Sequence, residues 1–103
     1  MDRRRLADVA AGRRPAELML KNALVVHVFT GEMTQCDVAI EDGYIAGLDS
    51  YHGLEEHDCT GKIVCPGFID AHIHMESVMA SPFELARAIV PAGTTTVVTD
   101  PHE

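Results

Sequence analysis

Large aromatic side chains are scarce in this chain: three Phe, two Tyr and no Trp in 103 residues. A stacking platform for single-stranded nucleic acid needs several such rings on one face, so that class is disfavoured. No run of about 18 apolar residues exists, which leaves no candidate transmembrane helix. The stretch after the first arginines, Leu6-Ala7-Asp8-Val9-Ala10-Ala11-Gly12, carries a charge and runs into Arg13-Arg14. It is too short and too polar for the apolar region of a secretory signal. Cysteine is limited to Cys36, Cys59 and Cys65, an odd number with no Cys-x-x-Cys spacing. Neither a disulfide framework nor a cysteine zinc clip follows from that pattern. Three small, partly buried thiols in a reducing cytoplasm are the expectation.

Basic residues are scarce outside the first fourteen positions. Residues 1–14 hold five Arg against Asp2 and Asp8; beyond them only Lys21, Lys62 and Arg87 face fourteen acids. An acidic body repels phosphate backbones and argues against a nucleic-acid partner. The basic start reads as a solvated helix face, with an anion- or lipid-binding patch as the less favoured alternative.

What is present divides into three stretches: a helical basic segment over 1–14, a β-rich portion over 15–65 and a βαβ unit over 66–103. Leu6, Val9 and Ala10 fall at i, i+3 and i+4, and Gly12 is a stop, so a helix is expected over about 3–11. Leu18-Met19-Leu20 and residues 23–29 are two apolar segments punctuated by Asn22 and by Thr30-Gly31-Glu32. Asp37-Val38-Ala39-Ile40-Glu41 alternates with period two. Asp42-Gly43 then separates it from Tyr44-Ile45-Ala46-Gly47-Leu48, a strong hairpin signal. Residues 49–58 are polar and read as a loop, and a further strand is expected over 59–65.

The rhythm then changes. Residues 68–74 read as a strand with polar groups on alternate positions. Ser81-Pro82-Phe83-Glu84 has the form of a helix start: Ser at the N-cap, Pro at N1 and Glu at N3 for a capping box. The helix is expected over 82–90, ended by Gly93. Thr94-Thr95-Thr96-Val97-Val98-Thr99 is β-branched throughout and reads as a strand buried on nearly every side. Strand, helix, strand at this spacing makes a parallel βαβ unit.

Asp70, His72 and His74 stand at i, i+2 and i+4, so a regular strand presents all three on one side. Two imidazoles at that spacing can converge on one divalent ion. Glu76 continues the parity. Two histidines engaged in ordinary hydrogen bonds are the bland alternative. The balance tips because the pair closes a strand whose parallel partner also ends in a polar cluster, Asp100-Pro101-His102-Glu103, at the edge where α/β sheets and barrels place ligands.

Pro66-Gly67-Phe68-Ile69-Asp70-Ala71-His72-Ile73-His74 resembles the first barrel strand of the amidohydrolase superfamily of metal-dependent hydrolases. Within it, residues 72–77 (His-Ile-His-Met-Glu-Ser) and 93–103 (Gly-Thr-Thr-Thr-Val-Val-Thr-Asp-Pro-His-Glu) are similar to adenine deaminases of the bacterial and archaeal type. The likeness extends over Leu18 to Leu48 and so covers nearly everything beyond residue 14. Val78 and Met75 depart from the pattern, where a small hydroxyl residue and a branched aliphatic are usual; neither is a ligand position.

The resemblance implies an α/β chain: part of a β-sandwich (a urease-like composite domain), then the first βαβ unit of an incomplete (β/α)₈ TIM-like barrel. Such a barrel needs about 250 residues. The expectation is therefore an N-terminal fragment, inactive alone, of an enzyme that hydrolyses adenine to hypoxanthine and ammonia. By the same resemblance His72 and His74 are metal ligands. Asp70, Glu76, Asp100, His102 and Glu103 orient ligands or touch substrate, and the acid/base lies beyond this stretch. Manganese or iron is implied as the metal, with zinc as an alternative, in a binuclear site of a cytoplasmic homo-oligomer. The competing readings are another amidohydrolase that opens a cyclic amide or imide, and a non-enzymatic β-rich binding module.

Overall fold

The computed structural model describes residues 2–49 and 51–99. The chain forms two compact units that meet in sequence between Cys65 and Pro66.

The first unit begins with helix α1, Arg3–Ala10. Asp2 caps it, its carboxylate accepting from the Arg4 and Arg5 amides at 3.0 and 3.2 Å. Strand β1 (Ala16–His27) pairs antiparallel with β2 (Glu32–Glu41), which pairs antiparallel with β3 (Tyr44–Gly47). The other side of β1 takes two short parallel partners in turn, β4 (Gly53–Asp58) and β5 (Ile63–Val64). The hairpin read at Asp42-Gly43 is present, with Glu41 opposite Tyr44 and both turn residues at positive φ, 53° and 77°. That is the turn whose twist matches the strands it joins.

Several sequence expectations are corrected. The two apolar segments at 18–20 and 23–29 are one strand, interrupted by a bulge: Leu20 faces Val38 and Ala23 faces Cys36, so three steps on β1 match two on β2. The extra residue reverses the side-chain parity of the strand. Leu20 before the bulge and Ala23 and Val25 after it therefore join one cluster with Cys36, Val38 and Ile40. Val28 and Phe29 lie beyond the strand, exposed at the hairpin tip. On β2 the alternation does not separate core from solvent. Both faces are covered, so Asp37, Val38 and Ala39 are buried in succession, and so is Glu41.

Residues 53–58, read as loop from their polarity, are strand β4. It lies at the edge of the sheet, five of its six residues are exposed, and its pairing to β1 is carried by main-chain bonds. Edge strands need no apolar face. The strand expected over 59–65 is confined to Ile63–Val64. Among the three thiols, Cys36 and Cys59 are half-buried and Cys65 is exposed.

A second cluster joins Val9 of α1 to Ala16, Met19 and Ala39, with Ala46 and Tyr51 against it. The basic start is consequently not only a solvated face. Arg5 Nε lies 2.8 Å from Oε2 of Glu41, whose side chain is 2% exposed, and the Arg5 guanidinium also reaches Glu17 and Asp42 at 3.3 Å each. The helix is tied to the sheet through its arginine.

The second unit is the expected βαβ arrangement. Strand β6 (Phe68–Ile73) pairs in parallel with β7 (Thr94–Thr99), and between them lie a 3₁₀ turn at Met75–Ser77 and helix α2, Pro82–Ile89. Ser81 Oγ accepts from the Glu84 amide at 3.2 Å with Pro82 in the first turn, as read. The Glu84 carboxylate pairs with Arg87 at 3.3 Å. The expected burial of β7 is not met: Thr95, Thr96, Val98 and Thr99 are exposed. A parallel strand is enclosed only when it has neighbours on both edges and cover on both faces. Among the described residues of this unit β7 pairs with β6 alone. All the fully buried hydrophobic residues described belong to the first unit.

Candidate metal centre

Strand β6 is laid down by an apolar pair, Phe68-Ile69, and its register against β7 starts at Phe68 opposite Thr94. The ladder then shifts twice: Ile69 faces Thr96, one step on β6 against two on β7, and a break of the opposite sense follows. Asp70 faces Val97 and Ile73 faces Thr99, so three steps on β6 correspond to two on β7. His72 sits inside this irregular stretch, and His74 follows the strand as the residue that leads into the 3₁₀ turn.

The two imidazoles meet. Nε2 of His72 and Nε2 of His74 are 3.0 Å apart, the ring centroids are 4.7 Å apart, and the planes stand at 87°. His72 is exposed and His74 half-buried. Residues two apart on a regular strand are about 6.6 Å apart along the backbone; the rings lean together so that their nitrogens are less than half that distance apart. Two nitrogens in contact either share a proton or turn both lone pairs to one cation. For two nitrogens each about 2.0–2.1 Å from a common ion, a 3.0 Å separation gives an N–metal–N angle of roughly 95°. The pair therefore fits a divalent ion as two of its ligands. Among the described residues no third His, Cys, Asp or Glu joins them in a group able to hold a metal.

Asp70 is engaged with the main chain. Its carboxylate accepts from the His72 main-chain N–H at 3.1 Å. Glu76 lies in the 3₁₀ turn Met75–Ser77. Asp100, His102 and Glu103, singled out in the sequence, lie outside the described residues. What sequence reasoning missed is the break in β6. The available signal was the Asp-x-His spacing, since an aspartate readily bonds the amide two residues on.

No family model matches the chain. It is 56% identical over 98 residues to adenine deaminase 2 of Carboxydothermus hydrogenoformans, covering 95% of this chain and 17% of that protein. It is also 56% identical over 100 residues to the adenine deaminase of Ligilactobacillus salivarius, covering 96% and 17%. The chain thus spans about 17% of the length of these curated relatives. Among solved structures it resembles N-acyl-D-glutamate deacylase from Bordetella bronchiseptica, complexed with zinc and a phosphonate inhibitor. The TM-score is 0.68, with 26% identity over 84% of this chain and 19% of that one. It likewise resembles D-aminoacylase, an amidohydrolase, with a TM-score of 0.67 and 28% identity over 82% of this chain and 18% of that one. Another D-aminoacylase structure, equally similar, addresses that enzyme's binuclear metal centre. The fold read for this chain, β-rich and followed by a βαβ unit, is that of amidohydrolases, and its sequence is similar to adenine deaminases over nearly its whole length.

Proposed function

We propose that this chain is part of an adenine deaminase, a metal-dependent amidohydrolase, in which it supplies the first two metal ligands and the sheet on which they stand. The observation that carries the reading is the convergence of His72 and His74 Nε2 at 3.0 Å at the end of a parallel strand. The identity to adenine deaminases supports the substrate, and the metals of the solved relatives support a divalent ion.

His72 and His74 would hold one divalent ion through their Nε2 atoms. When bound there, such an ion would make a water nucleophile available near neutral pH. The reaction is hydrolytic: water adds at C6 of adenine, the exocyclic amine leaves as ammonia, and hypoxanthine results. Asp70 fixes the main chain at His72. Glu76, Asp100, His102 and Glu103 follow the two strand ends and serve as orienting or substrate-contacting groups. The remaining ligands, the acid/base and the purine pocket come from the larger part of the enzyme, which is binuclear, uses manganese or iron, and works as a cytoplasmic homo-oligomer without nucleic-acid or membrane partners. No described helix is long and apolar enough to cross a membrane.

The test is a transplant. Residues 15–99 replace the matching stretch of the Carboxydothermus hydrogenoformans adenine deaminase, and ammonia and hypoxanthine are measured with manganese(II) or iron(II) supplied. Turnover of adenine near the parent rate is expected. A soluble hybrid that opens cyclic imides but leaves adenine intact would transfer the reading to the ring-opening amidohydrolases.

A further inference from the structure

We infer that Asp70 is a positioning residue: its carboxylate holds a bulge in β6 that brings the His72 and His74 ring nitrogens onto one point. The inference rests on the reading of that pair as metal ligands.

Between Asp70 and Ile73 the strand carries one residue more than its partner β7, so neither Ala71 nor His72 has a register partner there. A bulge leaves main-chain groups without their ladder partners and re-aims the side chains around it. The His72 amide is such a group, and Asp70 Oδ1 accepts it at 3.1 Å. The bond is short-armed. An oxygen two bonds from Cβ reaches the amide two residues on, whereas one more methylene would carry it past. The same solution appears in the first unit, where the bulge of β1 frees the Asn22 amide and Asp37 Oδ1 accepts it at 2.8 Å.

The consequence falls on the histidines. The break contains His72 and ends one residue before His74, and the two rings meet at 3.0 Å with planes at 87°. Without the acceptor, the His72 amide is driven to find a partner in β7, and a regular ladder would return the backbone of His72 and His74 to strand spacing and turn the His72 ring from its present direction. Asp70 thus acts on the metal through geometry, by way of the main chain, and not as a ligand. Outer partners of metal ligands commonly carry about 10–100-fold of metal affinity.

The experiment titrates the full 103-residue chain with zinc(II), used as the probe, and follows the histidine ring signals by NMR. In the parent chain His72 and His74 shift together with one dissociation constant. Asp70→Asn keeps an amide oxygen at the same reach and stays within about twofold. Asp70→Ala and Asp70→Glu, which lose or displace the acceptor, bind about tenfold more weakly, with the amide signals of β1 and β2 unchanged. If Asp70→Ala does not fold, the Asn and Glu variants still decide. Retention in Glu with loss in Asn would mean that charge, not the hydrogen bond, matters, and would overturn the inference. Unchanged affinity in all three variants would overturn it too, while leaving the ligand reading intact if His72→Ala still abolishes binding. Binding that survives His72→Ala would overturn both.

Discussion

Asp37 stands at the most demanding position in the first unit. Its side chain is 8% exposed, Lys21 Nζ lies 2.7 Å from one carboxylate oxygen, and the Asn22 amide donates to the other at 2.8 Å. Burial alone would raise this carboxyl; the Lys21 hydrogen bond, the Asn22 amide and the Lys21 charge together bring it below the usual aspartate value. Lys21 is raised in turn, chiefly by its hydrogen bond to Asp37 against the opposing effect of burial. A carboxyl lowered by folding adds stability above its unfolded pKa of about 3.9 and loses it as pH falls through the folded value. An ammonium raised by folding adds stability below about pH 10.4 and loses it as pH rises through the folded value. The first unit should therefore be most stable between those limits. Asp37→Ala leaves a half-buried ammonium and an unpaired bulge amide, an expected loss of about 3 kcal/mol. Urea midpoints at pH 7 and pH 3 check this: the variant's deficit should shrink at pH 3, and a deficit independent of pH would refute the assignment. Met19, fully buried beside Val9 and Ala39, is a purely apolar counterpart. Met19→Ala should cost about 2–5 kcal/mol at every pH, read from the same midpoints.

Among the elements, those governed by local chemistry were legible in the sequence, and those governed by neighbours were not. The Asp42-Gly43 turn and the Ser81-Pro82 helix start are dictated by φ preference and by capping, properties of the residues themselves. Gly43→Ala places a Cβ at φ 77° and should lower stability by about 1 kcal/mol, measurable as a reduced thermal midpoint; no change would mean that the turn rearranges freely. Strand β4 was hidden because Glu55, Glu56, His57 and Asp58 read as loop, yet an edge strand pairs through its main chain. The breaks in β1 and β6 were hidden because register belongs to two strands at once. At the candidate site, His72 and His74 were legible from their spacing, whereas the use of Asp70 on the main chain depends on the break in β6. Strand β7 reads as buried from six β-branched residues, but burial is decided by partners. Among the described residues it pairs with β6 alone and exposes Val98. Hydrogen exchange of the 103-residue chain should accordingly be fast at Val97 and Val98 relative to Val25 and Val38. Uniformly slow exchange at all four would contradict the account of the second unit.

At the scale of the whole molecule, one unit has the buried core and the other carries the candidate metal ligands. The fully buried hydrophobic residues described all lie in the first unit, while the paired imidazoles stand on the sparsely covered second one. A catalytic metal site needs about three protein ligands plus water, and only two converge among the described residues. The 103-residue chain alone should consequently release no ammonia from adenine, even with manganese(II) or iron(II) present. The central claim is that His72 and His74 are ligands on which deamination depends. It is tested most directly by the steady-state rate of the transplanted enzyme against its His72→Ala and His74→Ala variants, with metal content measured alongside. The account predicts that each substitution lowers kcat/KM at least about a thousandfold, a barrier increase of about 4 kcal/mol, together with loss of bound metal. A folded variant of either histidine that keeps its metal and deaminates adenine at the unsubstituted rate would contradict it.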